Sequence, residues 1–240
     1  MTGIEVETIY GIDAAKRGWV VARASPDLRD VSLHLIPELE PLFWRVVRDD
    51  GLLAIDIPIG LPDSGPRACD REARRLLRRP RASSVFPAPV RPALHATSYE
   101  EACDLSFQVS GRKLSRQTYD VLPRLREVDS LLWVERQQRV FEAHPELSFM
   151  MLAGTAQGLA SGKKTSAGKR ERTEILRSCF PDCDLDHLIR ETAGLAPLDD
   201  RLDALACLGT ASRICEGSAV RLPGNRVEFD ARSLRMEIFA

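Results

Sequence analysis

The sequence predicts an α/β fold: a mixed five-stranded sheet flanked by helices, with an α-helical insertion after the fourth strand and a C-terminal β-hairpin. Three observations predict it. Two apolar runs, Thr8 to Asp13 and Trp19 to Ala22, flank a short break at Ala14-Ala15-Lys16-Arg17-Gly18, and the alternating run Val31 to Ile36 follows them. That succession is simplest as three consecutive antiparallel strands. A helical stripe then leads to Gly51-Leu52-Leu53-Ala54-Ile55-Asp56-Ile57, a continuous apolar run of the kind found in strands buried on both faces and paired in parallel. Beyond it no strand pattern recurs until Arg139-Val140-Phe141-Glu142.

The stripe between the third and fourth strands is Leu39, Leu42, Phe43, Val46 and Val47, with Pro37 near its start. Residues 63–137 form the insertion, helical around Tyr99 to Val109 and Gln117 to Trp133, and lying over one edge of the sheet. Its proline-rich stretch, Ala82 to Pro92, is expected to be a rigid loop incompatible with helix. His144-Pro145-Glu146 turns the fifth strand into a helix, since Pro suits the first helical position and Glu the positive helix start. Ser161 to Arg172 is a basic, flexible stretch, followed by a helix over Thr173 to Cys179. Asp199 caps a further helix through Leu208. Pro223-Gly224-Asn225 separates the last strand-like runs, and Trp19, Trp44 and Trp133 sit at core-like spacings. The 240 residues are expected to form one domain.

Hydrophobic content of 44% and charged content of 29% are those of a globular protein. A formal net charge of -1 gives no whole-molecule attraction to nucleic acid or membranes, so a polyanion must be met by a local patch. No apolar run approaches the roughly 18 residues that span a bilayer. Met1 to Glu5 shows no basic region leading into an apolar one, which predicts a cytoplasmic protein. The six cysteines form no CxxC pair. Cys179 and Cys183 have no second Cys or His pair nearby, so reduced, mostly buried thiols are expected rather than zinc ligands.

The acids carry the chemistry. Asp13 and Asp56 each end an apolar run, and the two runs are expected to be sheet neighbours. A buried carboxylate is costly unless compensated. Asp200 and Asp203 share a helix face, where the macrodipole alone can account for them. Packed together, such groups need a cation or a proton. Oxygen-only ligand sets select magnesium or manganese. The basic residues also leave two readings open. Arg71, Arg74, Arg75 and Arg78 recur at helical spacing and form either a phosphate-binding face or a solvated one. Lys16, in the first turn, is either a phosphate contact or an ordinary hairpin residue.

Gly11-Ile12-Asp13, Gly18-Trp19-Val20, Ile55-Asp56-Ile57-Pro58-Ile59-Gly60-Leu61-Pro62, Ser84-Val85-Phe86-Pro87, Glu142-Ala143-His144-Pro145-Glu146 and Asp200-Arg201-Leu202-Asp203-Ala204-Leu205 together resemble domain-of-unknown-function family 429, described as predicted RNase H-like nucleases. The last run also resembles the closing helix of Holliday-junction resolvases. The resemblance implies an RNase H-like fold and metal-dependent hydrolysis of DNA or RNA, with magnesium or manganese held by Asp13, Asp56, Asp200 and Asp203 and bridged by Asp13. It adds Glu142 as a ligand or water-orienting group and His144 as a general base or supporting donor; the alternative is that both serve only the strand-to-helix turn. A phosphotransferase of the sugar-kinase and actin-like class shares this sheet but needs a phosphate-cradling glycine loop; Ala14 to Gly18 lacks one. A non-catalytic nucleic-acid-binding protein is the third reading.

Overall fold

Strands β1 (Ile9–Ala15) and β2 (Gly18–Ala24) form an antiparallel hairpin closed by Lys16 and Arg17, and β3 (Ser32–Ile36) pairs antiparallel with β2. Helix α1 (Glu40–Arg48) carries the chain across to β4 (Leu52–Ile55), which runs parallel to β1. The computed structural model describes residues 4–240; Met1, Thr2 and Gly3, part of the segment read for a leader, lie outside it. The strand β1 continues two residues past the expected break, and Asp13 pairs in register with Val20. The carboxylate therefore leaves from within the ladder, because the hairpin turn needs only two residues.

Between β4 and the fifth strand lie helices α2 (Ala68–Leu77), α3 (Tyr99–Ser110) and α4 (Arg116–Leu131), joined by loops and short 3-10 turns and containing no strand. Local chemistry sets their ends. Ser98 and Ser115 accept hydrogen bonds from the amides of Glu101 and Thr118, and Gly111 ends α3 in the left-handed conformation. The insertion covers a face of the sheet rather than an edge. Leu122, Leu125 and Val128 pack with Ile12, Trp19, Val21, Leu53 and Ile55, and Glu127 accepts from Trp19 Nε1 at 2.9 Å and Leu39 N at 2.6 Å. Both faces of the central strands are apolar, so each needs a cover.

Strand β5 (Val140–Glu142) runs parallel to β4 and completes the order β3-β2-β1-β4-β5. This mixed sheet is the one predicted, and it is consistent with RNase H-like topology. The second face is covered by α5 (Pro145–Leu152), α6 (Ser166–Cys179), α7 (Leu185–Glu191) and α8 (Leu198–Glu216). Gly11 permits the closest approach: a Cβ there would stand 2.1 Å from Leu208 N and 2.2 Å from Ala204 O. Helix α8 thus lies directly on β1.

Several boundaries differ from expectation. Helix α6 starts at Ser166, inside the stretch expected to be flexible, because Thr165 Oγ1 accepts from Gly168 N at 3.0 Å. Pro197, not Asp199, precedes the first turn of α8. The C-terminal strands nest: β6 (Arg221–Leu222) pairs with β9 (Ile238–Phe239), and β7 (Glu228–Phe229) with β8 (Arg235–Met236). Pro223-Gly224-Asn225 separates β6 from β7 as expected, and the hairpin itself closes at Asp230 to Leu234, where Asp230 Oδ1 accepts from both Arg232 N and Leu234 N.

Trp19 is core, but Trp44 and Trp133 are 55% and 41% exposed. Trp44 stands outside the buried stripe of α1, and the two indoles flank the Arg136 guanidinium at 4.3 and 3.5 Å, a cation–π clamp. All six cysteines are free; Cys69, Cys103 and Cys207 are buried, and Cys179, Cys183 and Cys215 are half-buried. No helix among the described residues is long and apolar enough to cross a membrane.

Candidate active site

Strand parity decides which acids meet. Ile9 and Leu52 face α8, so Gly11 and Asp13 on β1, and Ala54 and Asp56 on and just after β4, point the same way. Helix α8 presents Asp203 to that face, and Gly11 removes the side chain that would hold the helix off. Asp13 and Asp203 are 7% and 1% exposed, and Asp56 is half-buried. Asp200, one turn earlier on α8, sits half-buried at the rim.

Burial raises the carboxyl pKa of Asp13 well above the usual range, and the charges of Asp56, Asp203 and Asp200 add to it. Asp56 is also raised, chiefly by burial, with relief from His144, Lys163 and a hydrogen bond to Asp13. Asp203 is pushed up to about 6 by burial, against the pull of Lys163. Burial and neighbouring Asp199 raise Asp200. Buried like charges have been brought together at a cost, a pattern concentrated at functional sites.

Two residues outside the sequence-level set join the acids. Lys163 Nζ lies 2.6 Å from Asp203 Oδ2. Burial alone would lower its pKa, but Asp203, Asp13 and Asp56 hold it above its ordinary value. Glu146 is 5% exposed; Arg172 Nη2 bonds its Oε1 at 2.7 Å, while Oε2 is buried without a partner. The charge of Glu146 raises both Asp56 and Asp203. His144 caps α5 with Nε2 3.3 Å from Ser84 O. A carbonyl only accepts, so Nε2 carries the hydrogen, while Nδ1 is buried without a partner.

Asp56, His144, Glu146, Lys163 and Asp203 share a cavity of about 190 Å³, whose apolar wall includes Val85, Phe86, Pro87, Val121 and Leu125 from the insertion. This is below the roughly 300–1,000 Å³ of drug-sized ligand pockets, so it admits one small group. Asp13 and Asp200 lie outside its lining.

Glu142 borders the same cavity but does not belong to the acid group. It pairs in register with Ile55, one residue out of phase with Asp56, and faces the insertion. Arg67 Nη2 and Nη1 take its two oxygens at 2.6 and 2.7 Å, Ile59 N adds a bond at 2.7 Å, and Asp70 shares the same guanidinium. Arg71, Arg74, Arg75, Arg78 and Lys16 are all exposed, and none lines the cavity. Arg74 bonds Val85 O at 2.6 Å; Arg71 and Arg75 stand 3.8 Å from Glu228 and Glu72.

Among the described residues no three Asp, Glu, His or Cys groups stand as a ready-made metal cage. The donor chemistry nonetheless suits a hard cation. Asp13, Asp56 and Asp203 offer carboxylate oxygens from three elements, Glu146 Oε2 is an orphaned buried acceptor, and Lys163 already supplies the positive charge such a group requires. Asp13, Asp56 and Asp203 would hold the ion, with Asp200 at its open side.

The chain belongs to the DUF429 family, a protein family of unknown function, which it matches over residues 11–228. No curated protein and no solved structure matches the chain.

Proposed function

We propose that this DUF429 member is an RNase H-like, metal-dependent nuclease that hydrolyses phosphodiester bonds of DNA or RNA. The observation that supports this most is the convergence of Asp13, Asp56 and Asp203, from two parallel strands and one helix, into a buried group in which the charges of Asp56 and Asp203 raise the pKa of Asp13 and that of Asp56 raises Asp203. Bound magnesium or manganese supplies a Lewis acid for the phosphate and a more acidic water. Asp13, on which Asp56, Asp203 and Asp200 all act, would be the central carboxylate holding the metal in this reading. Glu146 adds negative charge from α5, and Arg172 keeps that side chain in place. His144 borders the cavity beside Asp56 with Nδ1 buried and unpartnered, and in its neutral form would accept a proton from the attacking water. The exposed arginines of α2 and Lys16 would meet the phosphate backbone away from the reacting bond.

The phosphotransferase alternative loses ground on one feature. The β1–β2 turn is two residues long, leaving no loop to wrap a nucleotide phosphate. The test of the favoured reading is cleavage of labelled DNA and RNA with magnesium or manganese, comparing wild type with Asp13→Asn. Metal-dependent cleavage by wild type and at least a hundredfold loss in the variant is the expected result. Equal cleavage by the two proteins, or none by either, defeats it.

A further inference from the structure

We propose that Lys163 is the resident counter-cation of the acid group and that a divalent ion enters only by displacing its ammonium; this rests on the metal reading above. The ammonium bonds Asp203 at 2.6 Å and acts electrostatically on Asp13, Asp56 and Asp200 as well. It therefore occupies the charge position a metal would take. One oxygen of Asp203 is thereby engaged by the lysine.

The segment around Lys163 is built so that the side chain moves while its backbone stays. Ser161 O accepts from Arg172 Nη1 at 3.1 Å, Ser161 N bonds Glu171, and Thr165 N bonds Gly162 O at 2.9 Å. Arg172 is the residue that also holds Glu146, so the loop and the fifth acid share one anchor. The Lys163 side chain is 41% exposed while Asp203 is 2% exposed, so the flexible stem has a path to solvent and the acid does not. A divalent ion among these carboxylates repels an ammonium still in the group, so the two exclude each other. The vacated ammonium then stands at the cavity mouth, free to meet a phosphate oxygen.

Titration calorimetry with Mn2+ alone, on wild type, Lys163→Met and Lys163→Gln, tests the exchange. Both variants are expected to bind at least tenfold more tightly, because nothing has to be displaced. Acylation of the five lysines, read by mass spectrometry, provides a second readout. Saturating Mn2+ is expected to raise labelling of Lys163 several-fold while Lys113 stays constant. Equal or weaker binding by both variants, with Lys163 labelling unchanged by metal, overturns the displacement and leaves the metal reading standing. Absence of Mn2+ binding by all three proteins overturns both.

Discussion

Arg172 Nη2 and Glu146 Oε1 lie 2.7 Å apart in a sealed pair, their side chains 1% and 7% exposed, while the second carboxylate oxygen has no partner. A buried pair loses heavily when only one member is removed. Arg172→Met is expected to cost about 3–5 kcal/mol in urea unfolding. Glu146→Gln keeps an acceptor for Arg172 and removes the charge felt by Asp56 and Asp203. Its expected signature is a modest stability change with Mn2+ affinity lowered about tenfold, worth about 1.4 kcal/mol. Unchanged affinity would place Glu146 outside the site.

The Arg67–Glu142–Asp70 cluster makes the opposite prediction. One guanidinium, 1% exposed, serves two buried carboxylates and also bonds the Ile59 carbonyl. Arg67→Met strands both acids and is expected to destabilise by about 3–5 kcal/mol. In Glu142→Gln the Mn2+ affinity should stay within about twofold, because this carboxylate faces Arg67 rather than Asp56. A large loss of affinity in Glu142→Gln would restore it as a ligand.

Those two acids show where the sequence is legible. Asp13 and Asp56 announce themselves because each interrupts an apolar run, and the parallel pairing of those runs follows from their composition. Asp203 is accessible through its helical spacing from Asp200. Glu142 misleads because β5 is only three residues long, too short for its pattern to reveal which face it shows. Glu146 looks like an ordinary first-turn acid. The signal that marks it is its surroundings: Pro145 to Met150 are buried all round, so a charge among them must have a partner. Lys163 lies in a loop whose fold-back depends on Arg172 and Glu171, and no local pattern encodes that contact.

The raised carboxyls give the metal-free protein a definite pH dependence. Asp203 sits at about 6 against an ordinary 3.8, and Glu142 at about 7 against 4.5, both mainly through burial. Between the ordinary and raised values the folded state retains protons that the unfolded chain has released. Stability therefore falls as pH rises from about 4 to about 7, the reverse of the usual carboxylate case. Urea midpoints at pH 4.5, 6 and 7.5 in chelator should decline in that order, provided the low-pH sample remains folded. Rising midpoints would show that the ion pairs outweigh burial.

Asp13→Asn separates the cost of the site from its use. Asn is a permanently neutral stand-in for the protonated acid, which burial and the neighbouring carboxylates favour in the folded protein. As pH rises, the wild-type carboxyl must ionise beside Asp56 and Asp203, whereas the amide pays no such penalty. In chelator the stability of the variant relative to wild type is therefore expected to rise with pH, reaching a gain of about 0.5–2 kcal/mol, the usual range when a functional site is relieved of strain. Mn2+ should invert that order. At a hundred times its dissociation constant the ion stabilises a protein that binds it by about 2.7 kcal/mol, and a variant lacking the central carboxylate gains little. Thermal unfolding of both proteins with and without Mn2+ checks this. A variant less stable in chelator and equally protected by metal would deny Asp13 its place among the ligands.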